Sequence, residues 1–194
     1  PTPRYPLHRL TGQFQEPARE ASYRREIAPR VRLESSVAIC VAALVFGMFA
    51  ISDYHYLDAG IELTLLLTMR LVVVVACLAL AVAIGRLGDF SRRLWLHALP
   101  LWILATGIIL IALLRPESLA TQVTALVVAT IAFYLLIPNL LPVVAFASLY
   151  LNLGFLASTV VMTDIPAVVV LRIGLLLVMT NAVGFFALLR LESD

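Results

Sequence analysis

The chain has no lysine: all 14 of its basic residues are arginine. Charge of any kind is scarce, at 13% of 194 residues, against about 25% in soluble globular domains. Cysteine is limited to Cys40 and Cys77, and both fall in apolar runs. They read as free, buried thiols acting as small hydrophobes, and no disulfide is expected. No set of His, Cys, Asp and Glu has metal-ligand spacing, so neither a metal nor a cofactor is expected. A Gly-rich phosphate loop and a nucleophile motif are both missing. No acidic residue lies deep within an apolar run, which weighs against a proton relay or a cation pump. Nothing points to a nucleic-acid partner. A cleavable signal is lacking, and the chain opens at Pro1, as a piece of a longer reading frame would.

What the chain does have is hydrophobicity: 62% of its residues, with a mean hydropathy of +1.00. A bilayer core takes about 20 apolar residues per helix. Six runs qualify, at 35–56, 63–84, 95–114, 121–138, 141–161 and 167–189. The expected fold is therefore all-α, an integral membrane bundle of six transmembrane helices. Between the fourth and fifth runs only IPNLLP, at 137–142, interrupts the apolar stretch. Pro138, Asn139 and Pro142 favour a tight hairpin there; one kinked, re-entrant element is the alternative. YLDAG, GRLGDFSRR, RPES and MTDIP mark the other breaks.

Arginine placement sets the expected orientation. Arg4, Arg9, Arg19, Arg24, Arg25, Arg30 and Arg32 precede the first span. Arg86, Arg92 and Arg93 follow the second, and Arg190 follows the sixth. The opposite side carries Arg115 alone, beside Asp53, Asp58, Glu62, Glu117 and Asp164. By the positive-inside rule both termini are cytoplasmic. Trp95 suits the inner interface. Residues 1–34 form a cytoplasmic arm. Its Pro-rich start is irregular, and EPAREASYRREI reads as a short helix that Pro29 ends or bends. This arginine-rich helix either contacts anionic headgroups or is a solvated topology signal. Residues 190–194 begin a cytoplasmic linker.

Two arginines lie inside spans. Arg70 sits in LLTMRLVV and Arg172 in VVVLRIGLL, each roughly 9–10 Å from the outer end of its span at about 1.5 Å per residue. Such a charge costs about 2.5–3.5 kcal/mol at mid-helix on insertion scales. Asp53, Glu62 and Asp164 are candidate partners, Glu62 and Asp164 each eight residues before an arginine. Three outcomes are open: interhelical ion pairs, a shared outward-facing pocket for a carboxylate or other anion, or reach towards the headgroups. Tyr54, His55 and Tyr56 form an interfacial aromatic belt, in which His55 is also able to titrate or donate to a ligand. Ser148, Asn152 and Thr159 share one face of the fifth span, and Thr180 and Asn181 lie in the sixth. These polar residues are expected to bond between helices, at about 0.6 kcal/mol per contact.

Several short motifs have a familiar layout: FQEPAREASY with Phe14, Pro17, Glu20 and Tyr23, the basic approach Arg30 and Arg32, FAISDY with Phe49 and Asp53, and MR with Arg70. In these the chain resembles the N-terminal six-span sensor modules of bacterial signalling proteins, the membrane-associated sensor (MASE) type. Such modules stand ahead of diguanylate cyclase, adenylate cyclase or histidine kinase domains. The resemblance implies a sensory input unit in a bacterial inner membrane, homodimeric, taking a periplasmic or membrane-dissolved ligand. NAVGFFALLRLESD would be the last span, running out towards an output domain. The chain itself would carry no enzyme activity. Two other readings remain: a small organic-anion transporter, for which TMRLVVVV and VLRIGLLLV are a weak internal echo, and a passive anchor that dimerises a cytoplasmic domain.

Overall fold

Proline or glycine lies at several of the helix breaks, though the first helix runs through Pro29 and the fourth through Pro100. In the computed structural model, residues 16–87, 94–137 and 139–193 are described. They form seven α-helices: α1 (Pro17–Met48), α2 (Ala50–Tyr56), α3 (Ile61–Leu87), α4 (Leu94–Leu114), α5 (Leu119–Leu135), α6 (Leu141–Met162) and α7 (Ala167–Ser193). A single 3-10 turn, Pro116–Ser118, links α4 to α5. No strand occurs among the described residues. Five helical stretches are long and apolar enough to cross a membrane: Arg25–Tyr56, Ile61–Arg86, Trp95–Leu114, Leu141–Met162 and Ala167–Leu191. The sixth apolar helix, α5, has 17 residues. At about 1.5 Å per residue it falls a few ångströms short of a hydrocarbon core of about 30 Å. The run expected over 121–138 is thus a shorter helix, because Leu136 and Ile137 already belong to the turn ahead of Asn139.

Two features of the first helix depart from expectation. α1 runs unbroken through Pro29, so there is no separate N-terminal helix. A proline inside a helix leaves the carbonyl four residues earlier without its N–H donor. Here that residue is Arg25, and both Arg25 and Pro29 are exposed. The second departure is a break at Phe49, inside the expected first span. Gly47, a poor helix former, lies just before it. Its position is close-packed: a Cβ there would stand 3.2 Å from Val74 Cγ2. The arm 1–15 with Arg4, Arg9 and Phe14, the segment 88–93 with Arg92 and Arg93, Pro138, and Asp194 lie outside the described residues. So do the side chains of Glu20, Arg24 and Glu117.

The helices pack in sequence as two groups. α1 packs along α3 and α3 along α4; α5, α6 and α7 pack on one another; and α4 against α6 is the main join. Among the described residues α1 and α7 share no extended contact. On α3 the buried positions are Leu63, Leu66, Arg70, Val73, Cys77, Ala81 and Ile84. Their spacing of three and four is one helix face. Small Cys77 and Ala81 let α1 come close, and Ser36 Oγ on α1 donates to the Ala81 carbonyl at 2.8 Å.

Candidate functional site

Arg70 lies on the buried stripe of α3, one helical turn from Leu66 and one from Val73. Burial of a guanidinium requires partners, and α1 and α2 provide them. The break at Phe49 puts Phe46 in the last turn of α1, where carbonyls lack regular intrahelical donors. Arg70 Nη1 donates to the Phe46 carbonyl at 2.9 Å. The short α2 then carries Asp53 inwards, fully buried. Arg70 grips its carboxylate with two donors: Nε to Oδ2, and Nη2 to Oδ1 at 3.2 Å. This is the bidentate fork that makes an Arg–carboxylate pair strong. The Phe46 ring lies 4.9 Å from Arg70 Cζ and covers the guanidinium.

A third charge joins from α4. Arg115, the residue after α4, donates Nη1 to Asp53 Oδ1. Its Cζ stands 4.8 Å from the centroid of Tyr56, a cation–π contact. The Arg115 backbone is itself anchored. Gln122 of α5 donates to the Arg115 carbonyl and, at 2.7 Å, to Ser118 Oγ. Asp53, Arg70 and Arg115 therefore tie together α2, the body of α3 and the end of α4. The side chains of Asp53, Arg70 and Arg115 are 0%, 5% and 9% exposed. Among the described side chains, two guanidiniums about one carboxylate leave the cluster with a net positive charge.

Of the sequence candidates, Asp53 and Arg70 come together. The others do not join them. Arg172 is exposed on α7, five residues in from Ala167, and has no ion pair. The inward stripe of α7 is Ile173, Leu177, Thr180 and Gly184, and Arg172 lies beside that stripe. Glu62 and Asp164 are exposed and pair with neither arginine. His55 is exposed and meets Tyr54 edge-on, centroids 6.3 Å apart. Of the three open outcomes, Arg70 takes the interhelical ion pair, with Asp53, and Arg172 lies exposed on α7 apart from that pair. Arg115 was missed because it looks like an isolated loop charge. The signal that finds it is its position one residue past a span, level with Asp53 at the end of another.

A polar seam joins α5, α6 and α7. Asn152 Nδ2 donates to Thr130 Oγ1 at 3.2 Å and to the Ser148 carbonyl at 2.7 Å. Tyr134 donates its hydroxyl to Asn181 Oδ1 at 3.3 Å. Thr159 and Thr180 bond back to Phe155 and Leu176 of their own helices, not across the bundle as expected. At the start of α4, His97 is buried, and its carbonyl accepts from Asn139 Nδ2 at 2.9 Å, holding the α5–α6 turn against α4. Among the described residues no three His, Cys, Asp or Glu side chains form a possible metal site. No protein-family model matches the chain, and neither a curated protein nor a solved structure matches it.

Proposed function

We propose that this chain is a membrane sensor module of the six-span type it resembles, passing a signal through α7 to a cytoplasmic signalling domain such as a nucleotide cyclase or kinase. On this reading all six apolar helices cross the inner membrane of a bacterium, α5 at about the lower length limit. Both termini are cytoplasmic, on the side of Arg19, Arg25, Arg30, Arg32, Arg86 and Arg190. The Asp53 cluster faces the periplasm, and the module works as a homodimer. One observation carries the proposal. Asp53 of FAISDY and Arg70 of TMR, two motif residues that carry the resemblance, lie 17 positions apart and form a buried bidentate pair.

A ligand acts only if it binds two packings of the helices unequally. A buried ion pair at the junction of three helices suits that role, since its partners favour one arrangement. The test fuses a diguanylate cyclase domain in helical register after Leu191. Cyclic dinucleotide is then measured in cells carrying wild type, Asp53→Asn or Arg70→Gln at matched membrane levels. The expected result is an output that differs from wild type in both variants. Unchanged output in both, or equal output from an unrelated dimerising span, overturns the sensor reading. Ligand-specific flux of an organic anion into proteoliposomes would favour transport instead.

A further inference from the structure

Arg70 and Arg115 share Asp53 unequally. Arg70 commits Nε, Nη1 and Nη2 to Asp53 and the Phe46 carbonyl. Arg115 donates through Nη1 alone, and its other N–H groups meet no acceptor among the described residues. A guanidinium has five N–H donors in one planar fork. With its side chain only 9% exposed, Arg115 keeps a narrow solvent-facing edge, and its unbonded donors lie there. Tyr56 covers a face of the group and leaves the edge, where the donors are. An uncompensated positive charge and unused donors at one place are the conditions under which an anion is held.

From this we infer that the Asp53–Arg70–Arg115 cluster is a binding site for one oxoanion, a phosphate or carboxylate group bound on the free edge of Arg115. One negative charge neutralises the cluster, and both oxoanions fit the fork with two oxygens. The group belongs either to a phospholipid headgroup or to a small anion in water. This deepens the sensor reading by naming the class of its ligand. Its test reads binding and not output, so the two fail separately.

The full chain in detergent, stripped of lipid, is titrated with inorganic phosphate or acetate against chloride at equal ionic strength. Thermal unfolding is followed by the fluorescence of Trp95 and Trp102. A ligand bound only by the folded state raises the unfolding temperature saturably. Arg115→Gln is expected to weaken this binding about tenfold or more, the loss of a hydrogen bond to a charged group. Arg115→Lys keeps the charge, gives up the fork, and binds with intermediate affinity; it serves if the glutamine variant fails to fold. In parallel, native mass spectrometry on undelipidated protein looks for one phospholipid per chain that Arg115→Lys sheds. Phosphate or acetate binding assigns the site to a water-borne anion, and the retained lipid assigns it to a headgroup. No saturable effect together with no retained lipid overturns the proposal. So does a Glu117→Gln variant that gains anion binding where wild type has none, since Glu117 would then already be the missing charge.

Discussion

Two arginines with the same outward description have different positions, and helical spacing separates them. Arg70 falls on the stripe Leu63, Leu66, Val73, Cys77 and Ala81, which includes the small residues that admit α1. Arg172 lies off the stripe Ile173, Leu177, Thr180 and Gly184, and so is exposed among apolar neighbours. That distinction was available from the sequence, because small residues mark the face that approaches another helix. The identity of the partner was only partly available. Asp53 was among three acids, and nothing local chose it over Glu62 or Asp164; that choice depends on the break at Phe49, which turns α2 inwards. The energetic consequences differ accordingly. Asp53→Asn leaves two buried arginines without a counter-charge and is expected to destabilise by about 3–5 kcal/mol. Arg70→Gln ranks next, since Asp53 keeps Arg115 while the Phe46 carbonyl loses its donor. Arg115→Gln ranks last, because the Arg70–Asp53 pair it leaves is neutral and intact. Denaturant unfolding in micelles gives the order, and an Arg115 loss exceeding the Asp53 loss contradicts it. For Arg172→Leu the sign reverses: removing an unpartnered charge among apolar residues stabilises by up to about 2.5 kcal/mol, read by the same unfolding experiment.

Element boundaries were legible where proline or glycine acts on the backbone itself. Arg115 and the turn Pro116–Ser118 lie between α4 and α5, residues 163–166 between α6 and α7, and residues 57–60 between α2 and α3, while Pro142 sits in the first turn of α6. Pro29 shows the limit of that reasoning. Neither the exposed Pro29 nor the buried Pro100 ends its helix, so whether a proline breaks a helix here follows from packing that local sequence does not encode. Helix contacts were legible in kind but not in pairing: Asn152 and Asn181 do cross the bundle, to Thr130 and Tyr134, while Thr159 and Thr180 do not. The α5–α7 contact provides a sharp test. A Cβ on Gly184 would clash with Tyr134 Cδ2 and lie 2.8 Å from Cγ, in a residue that is 3% exposed. Gly184→Ala is expected to cost about 1–3 kcal/mol by overpacking. Tyr134→Phe, which forfeits only the bond to Asn181, costs about 0.6 kcal/mol. Pairing Gly184→Ala with Tyr134→Leu should cost less than the two single changes together, since residues in contact are not additive. Gly154→Ala is the contrast: its nearest atom is Ile109 Cδ1, the far end of a flexible chain, so the change is cheaper. Equal costs at the two glycines would contradict this account.

The whole molecule is two helical groups meeting along α4 and α6, with α1 in one and α7 in the other. Under the sensor reading this arrangement restricts how a change at Asp53 reaches the output. Among the described residues α1 shares no extended contact with α7, so the main route passes through the α4–α6 seam or through the turn after Arg115, where Gln122 holds its carbonyl. The seam has a defined polar and aromatic stitch. Thr106 Oγ1 lies 3.1 Å from the Tyr150 hydroxyl, and the Trp102 and Tyr150 rings are 5.0 Å apart. Cross-links tell the routes apart, in the cyclase fusion with Cys40 and Cys77 replaced by serine. A short bifunctional maleimide joining cysteines at Thr106 and Tyr150 fixes the two groups together. One joining cysteines at Ser36 and the exposed Gly85, where a Cβ would lie 3.5 Å from Ser36 Oγ, fixes only α1 to α3, within a single group. If the groups shift against each other, the first cross-link removes the difference in output between wild type and Asp53→Asn, and the second leaves it. If the difference survives the first cross-link, the seam is not the route. The signal then runs through the Arg115 turn into α5 and on to α7, and Gln122→Ala becomes the variant that removes it.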